Sequence, residues 1–152
     1  MSDTRVLIIE ARFYDHLADM LLAGAAGTLD KAGVAWDKVT IPGVLELPTA
    51  LEMYATAQEM GLTDIRYDGF VVLGTAIRGE SDHYHHVSTA CVNGCSEVAT
   101  RHRLALGSGV LTVHNEAQAL NRADPARKDL GGQAARACLR MLDIKRALKL
   151  SR

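Results

Sequence analysis

No charge of either sign predominates in this 152-residue chain: 17 lysines and arginines stand against 18 acidic residues, a formal net charge of −1. A protein that reads nucleic-acid backbone would carry a basic excess, so nucleic acid is not an expected partner. Long apolar runs are absent, and with them any segment able to cross a bilayer as a helix; no membrane association is expected. The opening "MSDTRVLIIE" lacks the basic start, long apolar middle and small-residue cleavage site of a secretory signal. Cysteine is scarce and odd in number. Cys91, Cys95 and Cys138 form no disulfide framework and suit a reducing compartment, so a cytoplasmic location is expected. Internal repeats, low-complexity tracts and Gly/Ser linkers are missing too. Residues 1–152 therefore read as one domain, at a length that supports one core.

What is present alternates. "RVLIIEA" (5–11) is a near-continuous apolar run, the pattern of a strand buried on both faces. Leu17, Met20, Leu21, Ala25 and Leu29 then recur at helical spacing up to Gly33. "VAWDKVTI" (34–41) predicts a second strand, ended by Pro42-Gly43. "LELPTALEMYATAQEMG" predicts a helix with Pro48 in its first turn and Gly61 at its end. A third strand is expected over 67–74, a helix from Tyr84 to Arg101 and a fourth strand over 108–113. Two helices follow, near Glu116–Arg122 and Gly132–Leu148. Strands alternating with helices imply right-handed crossovers and a parallel sheet covered on both sides. The expected fold is α/β, a flavodoxin-like three-layer sandwich with a four-stranded parallel sheet in the order 2-1-3-4. Such sheets bind ligands beyond the carboxyl ends of their strands, here "EARFY", "IPGVLELP", "GTAIRGESDH" and "TVHNE".

The third of these segments holds the densest chemistry. In "LGTAIRGESDH", Gly74 and Gly79 read as turn glycines and Ser81 or Asp82 as a helix cap. The amides of Gly79, Glu80 and Ser81 would also lie at a helix start, where free N–H groups favour an anion. The spacing matches neither a Walker loop nor a G-x-G-x-x-G fingerprint, so capping and anion binding both stay open on the residues alone. A metal is disfavoured. His83 and Cys95 lie about 18 Å apart along a helix and cannot share one ion; Cys91 and Cys95 read better as small apolar residues on a buried face. His83 has another use beside an anion, because imidazole exchanges protons near neutral pH.

"EARFYDHL", "IPGVLELP", "LGTAIRGESDHY" and "GVLTVHNEAQALNRA" occur in this order across nearly the whole chain. Together they closely resemble the lumazine synthase family of riboflavin biosynthesis. The resemblance implies condensation of 5-amino-6-(D-ribitylamino)uracil with 3,4-dihydroxy-2-butanone 4-phosphate to 6,7-dimethyl-8-ribityllumazine, without metal or organic cofactor. By position it implies that Phe13 stacks on the heterocycle and that Val44, Leu45 and Glu46 meet the ribityl chain. Thr75, Ala76 and Ile77 would line the pyrimidine, Glu80 and Ser81 bind phosphate, and His83 act as general acid and base. Arg122 would neutralise phosphate from across a subunit boundary.

Three positions depart from the family pattern. Ser108 stands where an aromatic is usual in the uracil pocket. Leu130 replaces a common lysine, for which Arg127 or Lys128 could substitute. "HYHH" places His85 where an acid is more usual. A non-catalytic lumazine- or flavin-binding protein is the alternative on the same scaffold, and a metal-dependent phosphosugar enzyme is a third. His83 and Arg122 together favour the enzyme, since a binding protein needs no proton shuttle. In a sheet ordered 2-1-3-4, the fourth strand is an edge far from the first crossover, so a neighbouring chain is expected to complete the site. The resemblance implies a homopentamer. The turn "ADPARKDLGG" lacks the Gly-Thr-Lys-x-Gly pattern of the larger shells, so a pentamer, or at most a pair of pentamers, is expected.

Overall fold

The computed structural model describes residues 3–78 and 83–150, omitting the side chains of residues 83–85. Four parallel strands, β1 (Arg5–Ala11), β2 (Ala35–Ile41), β3 (Gly69–Ile77) and β4 (Leu106–Val113), form one sheet in the order β2-β1-β3-β4. Five helices alternate with them: α1 (Asp15–Lys31), α2 (Leu47–Glu59), α3 (His83–His102), α4 (Glu116–Ala123) and α5 (Leu130–Ala147). The expected fold class and strand order are both observed.

Side chains on a strand alternate between faces, and here each face has its own core. Val6 and Ile8 of β1 join Val71 and Leu73 of β3 beneath Leu17 and Leu21 of α1 and Ala135 of α5. Leu7 and Ile9 face the other way, with Phe70 and Val72 against Leu51 of α2 and Cys91 and Cys95 of α3. The three cysteines are free and buried, as the reading of Cys91 and Cys95 as small apolar residues requires. Burial of each large aliphatic side chain stabilises the fold by about 1.5–3 kcal/mol before entropy is counted. No described helix is long and apolar enough to cross a membrane.

Glycine ends the helices where the sequence places it. Gly33 and Gly61 adopt left-handed φ values of 71° and 70° just beyond α1 and α2, a conformation that side chains with a Cβ resist. Gly74 behaves differently from its expected turn role. β3 runs through it to Ile77, three residues past the expected end. A Cβ at Gly74 would lie 2.5 Å from Val44 Cγ1 and 3.2 Å from Ala11 Cβ. Gly74 is thus a strand glycine that admits a neighbouring segment, and reading it as a loop signal cuts the strand short. Smaller differences affect β4, which starts at Leu106, and α5, which starts at Leu130.

Close approaches at glycine also set α5. A Cβ at Gly107 would fall 1.8 Å from the Ala134 carbonyl oxygen, and one at Gly131 would fall 2.0 Å from that of Leu21. The start of α5 therefore lies tightly between β4 and α1. Asp129, itself left-handed at φ 50°, caps α5 by accepting a hydrogen bond from Gly132 N at 3.2 Å.

Candidate active site

The strands deliver two groups of side chains to different parts of the sheet. The first lies at the carboxyl ends of β1, β2 and β3. Beyond β1, Phe13 is 73% exposed and touches Tyr14 edge-on, with ring centroids 4.9 Å apart. A large aromatic left this exposed costs apolar hydration and leaves a ring face open for a planar ligand. Beyond β2, Val44, Leu45 and Glu46 form a 3-10 turn that precedes α2, with Pro48 in the first turn of that helix. Val44 is buried over Gly74, while Leu45 and Glu46 point outward. The Glu46 carboxylate folds back over Gly43, its oxygens 3.8 and 3.9 Å from where a Cβ would sit.

β3 supplies Thr75, Ala76 and Ile77. The β1 ladder stops at Glu10 and Leu73, whereas the β4 ladder continues to Ile77 and Val113. The last residues of β3 are therefore flanked by a strand on the β4 side alone. Their other side faces the region beside Phe13 where β1 has ended. Glu80 and Ser81, the expected phosphate pair, lie outside the described residues. His83, two residues after Ser81 in sequence, is the first residue of α3.

The second group belongs to the outer edge of β4. Arg122, near the end of α4, lines a cavity of about 470 Å³ with Lys128, Leu130, Gln133 and Thr112. Among the described residues that border it, two are cations and none is an acid. Arg127 instead turns toward Asp124, with 3.9 Å between Nε and Oδ2. Ser108 is not at a strand end. It pairs with Val72 inside β4, is exposed, and borders an apolar groove of about 550 Å³ between α3 and α5 with Val92, Met141, Ile144 and Leu148. Within one chain, then, the fold gathers Phe13, Val44–Glu46 and Thr75–Ile77, and sets Ser108 and Arg122 apart from them.

Two residues next to Phe13 have no part in the expected site. Glu10 is 1% exposed, yet it is a carboxylate inside β1. Arg12 Nε and Nη2 donate to its two oxygens at 3.1 and 3.0 Å, and Thr40 Oγ1 donates at 2.7 Å. Burial pushes the Glu10 pKa up. The hydrogen bonds from Arg12 and Thr40, with the charges of Arg12 and Lys38, outweigh that and hold it below the ordinary 4.5. The sequence does carry a signal for the pair: a charge in a buried strand with an opposite charge two residues on, just past the strand end, puts both on one face while the chain stays extended.

Comparison with known proteins agrees with this architecture. A family model described as 6,7-dimethyl-8-ribityllumazine synthase matches residues 3–146. The 6,7-dimethyl-8-ribityllumazine synthase of Paramagnetospirillum magneticum is 67% identical over 147 residues, covering 97% of this chain and 98% of that protein. The same enzyme from Agrobacterium fabrum is 45% identical, covering 97% and 99% of the two chains. The 6,7-dimethyl-8-ribityllumazine synthase 1 of Rhizobium meliloti is 46% identical, covering 97% and 95%. With the match spanning nearly its whole length, the chain belongs to the 6,7-dimethyl-8-ribityllumazine synthase family, transferases of riboflavin biosynthesis.

Proposed function

We propose that this lumazine synthase joins 5-amino-6-(D-ribitylamino)uracil to 3,4-dihydroxy-2-butanone 4-phosphate at a site completed by two neighbouring chains. The uracil stacks on Phe13 and meets the last residues of β3, Thr75, Ala76 and Ile77. The ribityl hydroxyls reach Val44, Leu45 and Glu46, where the outward carboxylate accepts their hydrogen bonds. Glu80 and Ser81, which precede α3 in the sequence, hold the phosphate from one chain. Arg122 and Lys128 neutralise it from the next, and Ser108 of that same neighbour borders the pocket.

The reaction forms an imine between the uracil amine and the butanone carbonyl with loss of one water, eliminates phosphate, and closes the second ring with loss of a second water. Each step moves a proton at nitrogen, carbon or oxygen. His83, beside the phosphate seat, moves it, because imidazole can both accept and return a proton near neutral pH. Arg122 and Lys128 stabilise the departing phosphate by their charge, which matters most as that charge develops. The residues named need no metal or organic cofactor.

The observation that carries the shared site is the separation of the two groups. Phe13, the 3-10 turn and the end of β3 lie at the carboxyl edge of β1, β2 and β3, while the Arg122–Lys128 cavity opens along the outer side of β4. A ring of chains with head-to-tail contacts brings one group against the other at every boundary and closes on itself; we assign five chains to it.

Mixed assembly tests this. His83→Ala and Arg122→Ala subunits, each weakly active alone, are combined by co-expression. In a shared site some boundaries then hold both wild-type contributions, so activity rises above either parent. A site held within one chain gives no such rise.

A further inference from the structure

We propose that Arg12 is a positioning residue for the uracil: it fixes the turn that aims Phe13 and acts on the substrate only through that ring. This inference rests on the reading of Phe13 as the stacking surface. It extends that reading to a side chain that does not face the substrate.

Little else holds Phe13. The residue is largely exposed, and Tyr14, at the N-cap of α1, makes no side-chain capping hydrogen bond. An uncapped turn between strand and helix has several backbone conformations of similar energy. Arg12 removes that freedom from both sides. Its N–H donates to the Ile41 carbonyl at 3.0 Å, tying the turn to the end of β2. Its guanidinium forks onto Glu10 of β1, while Nη1 donates to Asp19 Oδ1 at 2.7 Å and to the Asp15 carbonyl at 3.3 Å. One side chain thus links β1 to the first turns of α1 across the two residues in between, Phe13 and Tyr14.

The anchor itself is rigid. Glu10 is buried in the sheet and also receives Thr40 and, at 3.4 Å, Lys38 from β2. A planar fork is what such a link requires. Lysine carries the charge but offers a point donor, unable to satisfy a bidentate carboxylate and an aspartate on another element together. Ordering a ring before the ligand arrives lowers the entropy cost of stacking, so the effect belongs in affinity for the uracil.

Steady-state kinetics on Arg12→Ala, Phe13→Ala and the double variant test the proposal. Arg12→Ala is expected to raise KM for the uracil by about tenfold, the size of a lost base-stacking contact. KM for the butanone phosphate stays near the wild-type value. The double variant is expected to be no worse than Phe13→Ala, because Arg12 has nothing left to position. Arg12→Lys is expected to resemble Arg12→Ala. Additive effects, a parallel rise in both KM values, or wild-type kinetics in Arg12→Lys overturn the inference while leaving Phe13 in the site. A silent Phe13→Ala overturns the stacking reading and this inference with it. Should Arg12→Ala fail to fold because it strands the Glu10 charge, the neutral pair Glu10→Gln with Arg12→Gln replaces it in the same cycle. The same outcomes then decide.

Discussion

Gly74 of β3 and Val44 of the 3-10 turn occupy one space: a Cβ on the glycine would stand 2.5 Å from Val44 Cγ1. The strand and the turn can approach only because position 74 has no side chain. Gly74→Ala is expected to cost about 1–3 kcal/mol, the usual penalty for overpacking a tight site. It also pushes the turn, and with it Glu46, away from the end of β3. KM for the ribityl-bearing substrate should rise in step. Combining it with Val44→Ala removes the clash and should restore part of the stability lost, as read from denaturant midpoints. A double variant no more stable than Gly74→Ala would show that the contact is not the cause.

That contact also marks where sequence reading stopped. Periodicity finds β1 to the residue and the helix that follows it up to Gly33, because its apolar stripe and that glycine are local features. It ends β3 at Gly74 because a glycine demanded by a distant valine looks the same as a glycine demanded by a turn. Phe13, the 3-10 turn and the end of β3 all lie at the carboxyl ends of adjacent strands, which the strand order already implies. Ser108 is legible as a lost aromatic, but its place inside β4, beside an apolar groove, depends on strand pairing. Lys128 and Arg127 are neighbours in sequence. Only the fold separates them, by turning Arg127 to Asp124 and Lys128 to the cavity.

Those two cations should differ in kinetics. Arg122→Ala removes a charged fork from the phosphate and is expected to raise KM for the butanone phosphate by about ten- to a hundredfold. KM for the uracil should hardly move. Lys128→Ala is expected to act on the same constant more weakly, because an ammonium is a point donor and does not fork onto two phosphate oxygens. Arg127→Ala should leave both constants unchanged. A larger effect from Arg127 than from Lys128 would reverse the assignment at this cavity.

Turnover should identify His83. With both substrates saturating, His83→Ala is expected to lower kcat by about a hundredfold, the low end for a general acid and base. Unchanged turnover, followed by the fluorescence of the lumazine product, would remove His83 from the chemistry.

A pH dependence of stability is expected far from the site, at the α2–α3 contact. His102 lies between Glu59, 2.7 Å from its Nδ1, and Glu52 at its Nε2. The hydrogen bond to Glu59 leads in raising the His102 pKa above 6.5, against the opposing effect of burial. Burial pushes Glu52 up, but hydrogen bonds from His102, Thr56 and Arg101 bring it below 4.5. The raised imidazole contributes stability that is complete below 6.5 and is lost as pH climbs through its folded value. The depressed carboxylate contributes stability that is complete above 4.5 and is lost as pH falls through its folded value. Both act fully between those ordinary values. The Tm difference between wild type and His102→Gln should therefore peak between pH 4.5 and 6.5 and shrink on either side. A difference that grows steadily toward alkaline pH would contradict the ionised cluster.

Assembly can be separated from the site residues through the groove that Ser108 borders. Met141, Ile144 and Leu148 are exposed along it on and just beyond α5, although each is large and apolar. A lone chain would pay hydration for this surface; a neighbour seated against the β4 edge would bury it. Met141→Glu places a charge in that contact without touching Phe13, His83 or Arg122, and a charge buried without a partner is strongly unfavourable. Sedimentation velocity is expected to show the variant as monomer where the wild type sediments as a ring of five. Activity should fall with the assembly and recover when the protein is concentrated enough to reassociate. A Met141→Glu monomer with full activity at all concentrations would mean that one chain closes the pocket alone. A wild-type particle far larger than ten chains would show that the turn from Asp124 to Asp129 does not restrict the tail helix as its sequence suggests.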